Sequence, residues 1–218
     1  KAAMADSLDE ILVTASAEIT DEQLSSFKLM DVEANEEVET EVSRVNENSV
    51  MLKLKKKFFR MVASELDATK LYEVSSNDFA AVEVTMRKIL NDEKYYYDGN
   101  DLGLTYGKNK SSFKVWAPTA KDVSLMLYDD AGKYDSDGYV NNNTKGNEVA
   151  MERNDNGVWN VEISEDLNGK YYLYKVSFAN GDVNYAVDPY AKAVAANGQR
   201  TAIINLDSTD PEGWEKTA

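Results

Sequence analysis

The sequence predicts an all-β chain built from two tandem antiparallel β-sandwiches. Three observations carry that prediction. Apolar and polar residues alternate with a period of two through the main apolar segments, which is the period of a strand with one buried face. The alternating segments are short and are separated by Gly, Asn and Asp turns. A stretch from Asn91 to Lys110, rich in Tyr, Asp, Gly and Asn, then divides the chain into two halves.

In the first half, Ile11 to Ala15 reads as a short strand. Thr20-Asp21-Glu22-Gln23 has the form of a capping box and predicts a short helix reaching about Ser26. Val50, Leu52 and Leu54 share one strand face, and Val82, Val84 and Met86 share another. Short strands at this spacing argue for an immunoglobulin-like sandwich over residues 1–94. The segment Leu66 to Val74 also resembles the late strands of bacterial Ig-like modules. Tyr95-Tyr96-Tyr97 is expected in a seam between the halves, because exposed aromatic rings gain by packing.

Residues 95–218 show sharper strands. Val123, Leu125 and Leu127 lie on one face, and Trp159, Val161 and Ile163 on another. Tyr172, Tyr174, Val176 and Phe178 alternate with Tyr171, Leu173, Lys175 and Ser177. Turns at Asn156-Gly157, Asn168-Gly169 and Asn180-Gly181 join hairpin to hairpin. Trp159 is expected in the core. Asp188 and Pro189 are expected to shape a turn, with Asp188 accepting local backbone hydrogen bonds. Arg200 is expected to pair with an acid that the sequence does not name.

Composition narrows the chemistry. The 218 residues carry 39 acids against 24 bases, a formal net charge of −15, so nucleic acid and anionic membranes are not expected partners. The basic run Lys53 to Arg60 reads as a solvated strand end beside the acidic stretch Glu33 to Glu41. No apolar run approaches the roughly 20 residues of a membrane span. With no cysteine and no histidine, thiol and Ser-His-Asp chemistry and most zinc or iron sites are excluded. No cofactor and no metal are expected. The loop Asp135-Ser136-Asp137-Gly138 lacks the spacing of an EF-hand and reads as a polar turn. The start at Lys1-Ala2-Ala3 lacks the apolar core of a signal peptide and reads as a cut from a longer chain.

Four elements together carry a family resemblance: Tyr97-Asp98-Gly99-Asn100-Asp101-Leu102-Gly103, Phe113-Lys114-Val115-Trp116-Ala117-Pro118, Val187-Asp188-Pro189-Tyr190-Ala191-Lys192 and Asp210-Pro211-Glu212-Gly213-Trp214. They resemble the region ahead of the catalytic barrel in type I pullulanases, starch-debranching members of glycoside hydrolase family 13. The second half resembles a family 48 carbohydrate-binding module, and the first half the N-terminal sandwich of the same enzymes. The barrel's Tyr-Asn-Trp-Gly-Tyr-Asp-Pro motif is absent, so the resemblance assigns no catalytic residue here and implies a non-catalytic accessory role. The implied partners are the barrel of the same polypeptide and α-glucan: starch, pullulan or limit dextrin. The compartment is left open by the sequence, with a bacterial, extracellular setting slightly favoured over a cytoplasmic one.

The resemblance extends to the glycogen-binding module of AMP-activated kinase, whose sugar-binding lysine falls on Lys175. Its second stacking tryptophan falls on Tyr185, and a polar side chain on Thr201. Its first tryptophan has no counterpart after Tyr128-Asp129-Asp130. Trp116 is a further candidate for sugar contact, while Asp188, Pro189, Tyr190 and Trp214 are expected as turn or interface elements. Two other readings stay open: a stand-alone starch-binding module, and interaction domains without sugar affinity.

Overall fold

Period-two alternation becomes strand wherever the apolar set finds a facing layer. The computed structural model describes residues 2–55, 65–132, 146–211 and 213. Trp214, the Asp135–Gly138 turn and most of the basic run after Lys55 lie outside them. The chain divides into two compact units. The first is the chain up to Tyr96 with Pro118–Lys121 and Phe178–Gly181; the second is Tyr97–Ala117, Asp122–Ser177 and the chain from Asp182 onward.

The first unit contains strands β1 (Ala2–Ala5), β2 (Glu10–Thr14), β3 (Lys28–Asp31), β4 (Glu36–Val38), β5 (Thr40–Asn46), β6 (Ser49–Leu54), β7 (Tyr72–Ser75) and β8 (Val82–Met86). Their hydrogen-bonded order is β4-β3-β7-β8-β1-β2-β6-β5. All pairs are antiparallel except β1 with β8, where β8 leaves β7 and joins β1. The core closes between two sets of inward residues. Ala3, Ala5, Ile11, Val13, Val50 and Leu52 form one, and Leu29, Tyr72 and Val74 the other. The predicted helix is shorter than expected: α1 spans Asp21–Leu24, and the Thr20 N–H donates to Gln23 Oε1 at 2.9 Å.

The late-strand resemblance has a structural counterpart. Tyr72 Oη accepts from the Asp67 N–H at 3.2 Å, the corner that ties a tyrosine at a strand start to the backbone just upstream. Tyr95 is buried in this unit's own core, and its hydroxyl accepts from the Ala68 N–H at 3.4 Å. Lys53, on β6, pairs with Glu10 on the neighbouring β2 at 2.6 Å.

The second unit holds β9 (Gly103–Thr105), β10 (Ser111–Trp116), β11 (Asp122–Tyr128), β12 (Asn147–Ala150), β13 (Glu152–Arg153), β14 (Val158–Ile163), β15 (Tyr171–Ser177), β16 (Val183–Ala186) and β17 (Thr201–Ala202). One sheet runs β13-β14-β10-β9; the other runs β12-β11-β15-β16, with β17 also paired to β15. Phe113, Val115 and Trp159 from the first sheet and Val123, Leu125, Leu127, Tyr172 and Tyr174 from the second are buried. The Phe113 and Tyr172 rings meet edge-on across the layer, 5.0 Å between centroids. The Trp159 indole N–H is satisfied by the Ala117 carbonyl at 3.1 Å.

The Asp188-Pro189-Tyr190-Ala191 turn is anchored more deeply than a surface turn. The Ala191 N–H closes it on the Asp188 carbonyl at 3.1 Å, and Asp188 Oδ1 accepts from the Tyr190 N–H at 2.8 Å. Asp188 Oδ2 points inward, taking the Tyr172 hydroxyl at 2.5 Å, with the Tyr174 hydroxyl 3.3 Å away. Gly103, at φ +91°, lies against this turn: a Cβ there would stand 2.7 Å from Tyr190 Cβ. Gly103→Ala therefore combines left-handed strain with a clash that backbone must absorb. We expect a loss of about 2–3 kcal/mol of stability, read as a lower denaturation midpoint.

Candidate functional site

On β15 the side chains between the inward tyrosines must point away from the core. That places Lys175 on the outer face, as its alternation with Tyr174 and Val176 predicts. Register then decides its neighbours. Lys175 lies directly opposite Tyr185 on β16 and opposite Ser124 on β11. Two candidates separated by ten positions in sequence thus become one cross-strand pair, within side-chain contact range. Tyr185 is 39% exposed, which leaves aromatic surface open to a ligand.

A carboxylate completes the group. Glu148, on β12, approaches Lys175 Nζ with both oxygens, at 2.9 and 3.1 Å. The Lys175 ammonium, helped by the Ser124 hydroxyl, holds the Glu148 carboxyl below its ordinary range, and Glu148 in turn raises the Lys175 ammonium. Both groups are therefore charged at neutral pH. Since the pair is partly exposed, its contribution to stability is small; its consequence is positional. Ring, ammonium and carboxylate stand together: one stacks on an apolar C–H face, one donates to hydroxyls and one accepts from them. Glu148 was not a sequence candidate. Its place depends on the β11–β12 register, which no local pattern encodes.

The outer face is also less solvated than alternation suggests. Met126, Tyr128 and Leu173 form a second small core there. Tyr128 is capped by Arg200, whose guanidinium lies 3.6 Å from the ring centroid. The acid that Arg200 reaches is Asp130, through its carbonyl at 3.0 Å and its carboxylate at 3.1 Å. The continuous apolar run Leu125-Met126-Leu127-Tyr128 was the available signal, because a strand buried on both faces loses its alternation.

The other two sugar-contact candidates stand apart from this group. Thr201 is 1% exposed, and its hydroxyl accepts from the Asp188 N–H at 3.0 Å, so it is committed to holding the turn. Trp116 ends β10 in the opposite sheet, and its indole N–H donates to the Asn156 carbonyl at 3.0 Å. Tyr190 is largely exposed beyond the turn, and Pro189 is exposed beside it. Among the described residues no group of three or more acids could hold a metal ion, and no helix is long and apolar enough to cross a membrane.

A surface ring beside charged hydrogen-bonding groups has the chemistry that a sugar's apolar face and hydroxyl rim require. The family model for carbohydrate-binding module 48, the isoamylase N-terminal domain, matches residues 101–191. Residues 101–191 are thus similar to carbohydrate-binding modules of family 48. The matched stretch includes Lys175, Tyr185, Glu148 and the Asp188 turn. The chain is 37% identical over 134 residues to the chloroplastic pullulanase 1 of Arabidopsis thaliana, covering 58% of this chain and 13% of that protein. It is 32% identical over 126 residues to the pullulanase of Bacillus subtilis, covering 58% of this chain and 16% of that protein. The chain thus spans less than a fifth of the length of these relatives.

Shape similarity reaches further than the module. Pullulanase from Bacillus acidopullulyticus superposes with a TM-score of 0.79 over 99% of this chain and 38% of that one, at 23% identity. At that identity the likeness speaks for the fold, and it takes in both sandwiches. A pullulanase from an Anoxybacillus species, solved with maltotetraose, gives 0.66 over 97% of this chain and 27% of that one, at 25% identity.

Proposed function

We propose that the chain is the accessory, non-catalytic region of a starch-debranching enzyme that hydrolyses α-1,6 bonds in pullulan, amylopectin or limit dextrin. In this reading the family 48 module holds α-glucan against the Tyr185 ring. Lys175 donates to the sugar hydroxyls and Glu148 accepts from them. The catalytic partner is the barrel of the same polypeptide. The observation that carries the reading is the register of β15 and β16, which makes Lys175 and Tyr185 direct cross-strand neighbours on a solvent-facing surface. The similarity to pullulanases supports the glucan class.

The proposal is tested by native electrophoresis through gels containing pullulan. The 218-residue chain is expected to be retarded relative to a polysaccharide-free gel. Loss of one stacking ring costs about 1–3 kcal/mol by analogy with stacked bases, so Tyr185→Ala should weaken binding at this face by about fivefold to 150-fold and reduce the retardation. Unchanged migration of the wild-type chain, or retardation undiminished in Tyr185→Ala, would overturn this assignment.

A further inference from the structure

The module carries a second concave surface, distinct from the Lys175–Tyr185 face. It is a half-open groove of about 230 Å³, walled by β9, the segment after Asp188, β17 and residues 204–207. Its floor is fixed. Thr201 and Asp188 are buried and joined to each other, and Gly103 lets the Asp188–Tyr190 turn pack closely on β9. Over this floor stands Tyr190, 54% exposed, while its backbone N–H is pinned by Asp188. A rigidly based ring with an open face is therefore presented to solvent.

Two charged groups beside that ring have no ion-pair partner among the described residues. Elsewhere in this unit Lys110, Lys114, Lys170 and Lys175 each have a carboxylate partner. Lys192 and Asp207 both line the groove, and neither has an ion-pair partner among the described residues. Thr105 and Asn205 add a hydroxyl and an amide to the same lining. The volume falls below the roughly 300 Å³ at which pockets for drug-sized ligands begin, which suits one or two sugar rings. Exposed aromatic surface bordered by free donors and acceptors is the chemistry a pyranose needs, with its apolar C–H face and hydroxyl rim.

We propose that this groove is a second α-glucan subsite of the module, in which Tyr190 stacks on a glucose residue while Lys192 donates to its hydroxyls and Asp207 accepts from them. The inference rests on the reading that this module binds α-glucan, and adds a separate place at which it does so. Maltotriose is the probe, being short enough to occupy the two places independently. In a residue-resolved NMR titration of the 218-residue chain, two groups of amide signals should shift, one in 171–177 and 183–186, the other in 190–193 and 201–207. Tyr185→Ala should remove the first group and leave the second. Tyr190→Ala, which keeps the Cβ against Gly103 and the turn N–H, should remove the second and leave the first. Lys192→Met, which alters no internal contact, should weaken the second by at least threefold.

Shifts confined to the Tyr185 face would overturn the second subsite and leave the main proposal standing. Shifts confined to the groove would uphold the subsite and overturn the Tyr185 assignment. No shift anywhere at millimolar maltotriose would overturn both.

Discussion

Asp188→Ala is expected to destabilise the second unit by about 3–4 kcal/mol, among the largest losses from any single side chain in this molecule. The carboxylate is 3% exposed and sits where three elements converge. It takes the Tyr172 hydroxyl, lies within reach of the Tyr174 hydroxyl and closes its own turn on the Tyr190 N–H. Removing it strands the buried Tyr172 phenol, which costs about 1–3 kcal/mol when left without a partner. It also leaves the Tyr174 hydroxyl only the Lys114 carbonyl at 3.4 Å and frees the Tyr190 N–H. Burial above all pushes both tyrosines well above the ordinary phenol range, and the nearby Asp188 charge adds to it. They therefore remain protonated donors throughout the physiological range.

A phenol raised in the folded state stabilises fully below its unfolded value near 10 and progressively less as pH climbs past it. The tyrosinate absorbance of these two rings should accordingly appear only with alkaline unfolding. All three tryptophans follow residue 97 in the sequence, so tryptophan fluorescence during urea denaturation reads the second unit. A midpoint for Asp188→Ala within 0.3 M of wild type would contradict this account.

Arg200→Ala should cost the same unit about 3 kcal/mol. Arg200 is fully buried, and its guanidinium covers the Tyr128 ring. A desolvated cation over an aromatic face contributes about 2 kcal/mol, and truncating a large buried side chain adds a cavity. Some of that is offset, since burying a cation is itself costly. Asp130, its carboxylate partner, is mostly solvated and is not left as a buried charge when Arg200 goes. Arg200→Lys should recover only part of the loss, because an ammonium reproduces the charge without the planar stacking surface. Equal stability of the Lys variant and wild type would show that charge alone matters there.

These two residues also mark how far the sequence could be read. Strand faces were legible wherever one side is buried and the other solvated. Val50-Leu52-Leu54 and Tyr172-Tyr174 are buried as their alternation indicates. Legibility failed where both faces are covered: Leu173 and Met126 sit in a second core that a two-face pattern assigns to solvent. The Asp188 turn was readable from Asp-Pro. Its inward carboxylate was not, because the tyrosines that meet it come from a strand 14 and 16 residues away.

The candidate site followed the same rule. Lys175 and Tyr185 were legible by resemblance, and hairpin register brought them together. Glu148 comes from another hairpin and was invisible until the sheet was assembled. Thr201 was named by resemblance alone, and nothing in the sequence signalled its burial. Its hydroxyl is instead the acceptor that a buried Asp188 N–H requires.

The central claim is that this chain engages α-glucan without cleaving it, and one experiment addresses both halves. The 218-residue chain is incubated with granular starch and with pullulan, and the sedimented fraction and the reducing ends released are measured on the same sample. The account predicts that chain sediments with starch in proportion to starch added, and that reducing ends stay at the level of the protein-free control. Chain that remains in the supernatant at every starch concentration, or reducing ends that rise with protein concentration, would contradict it.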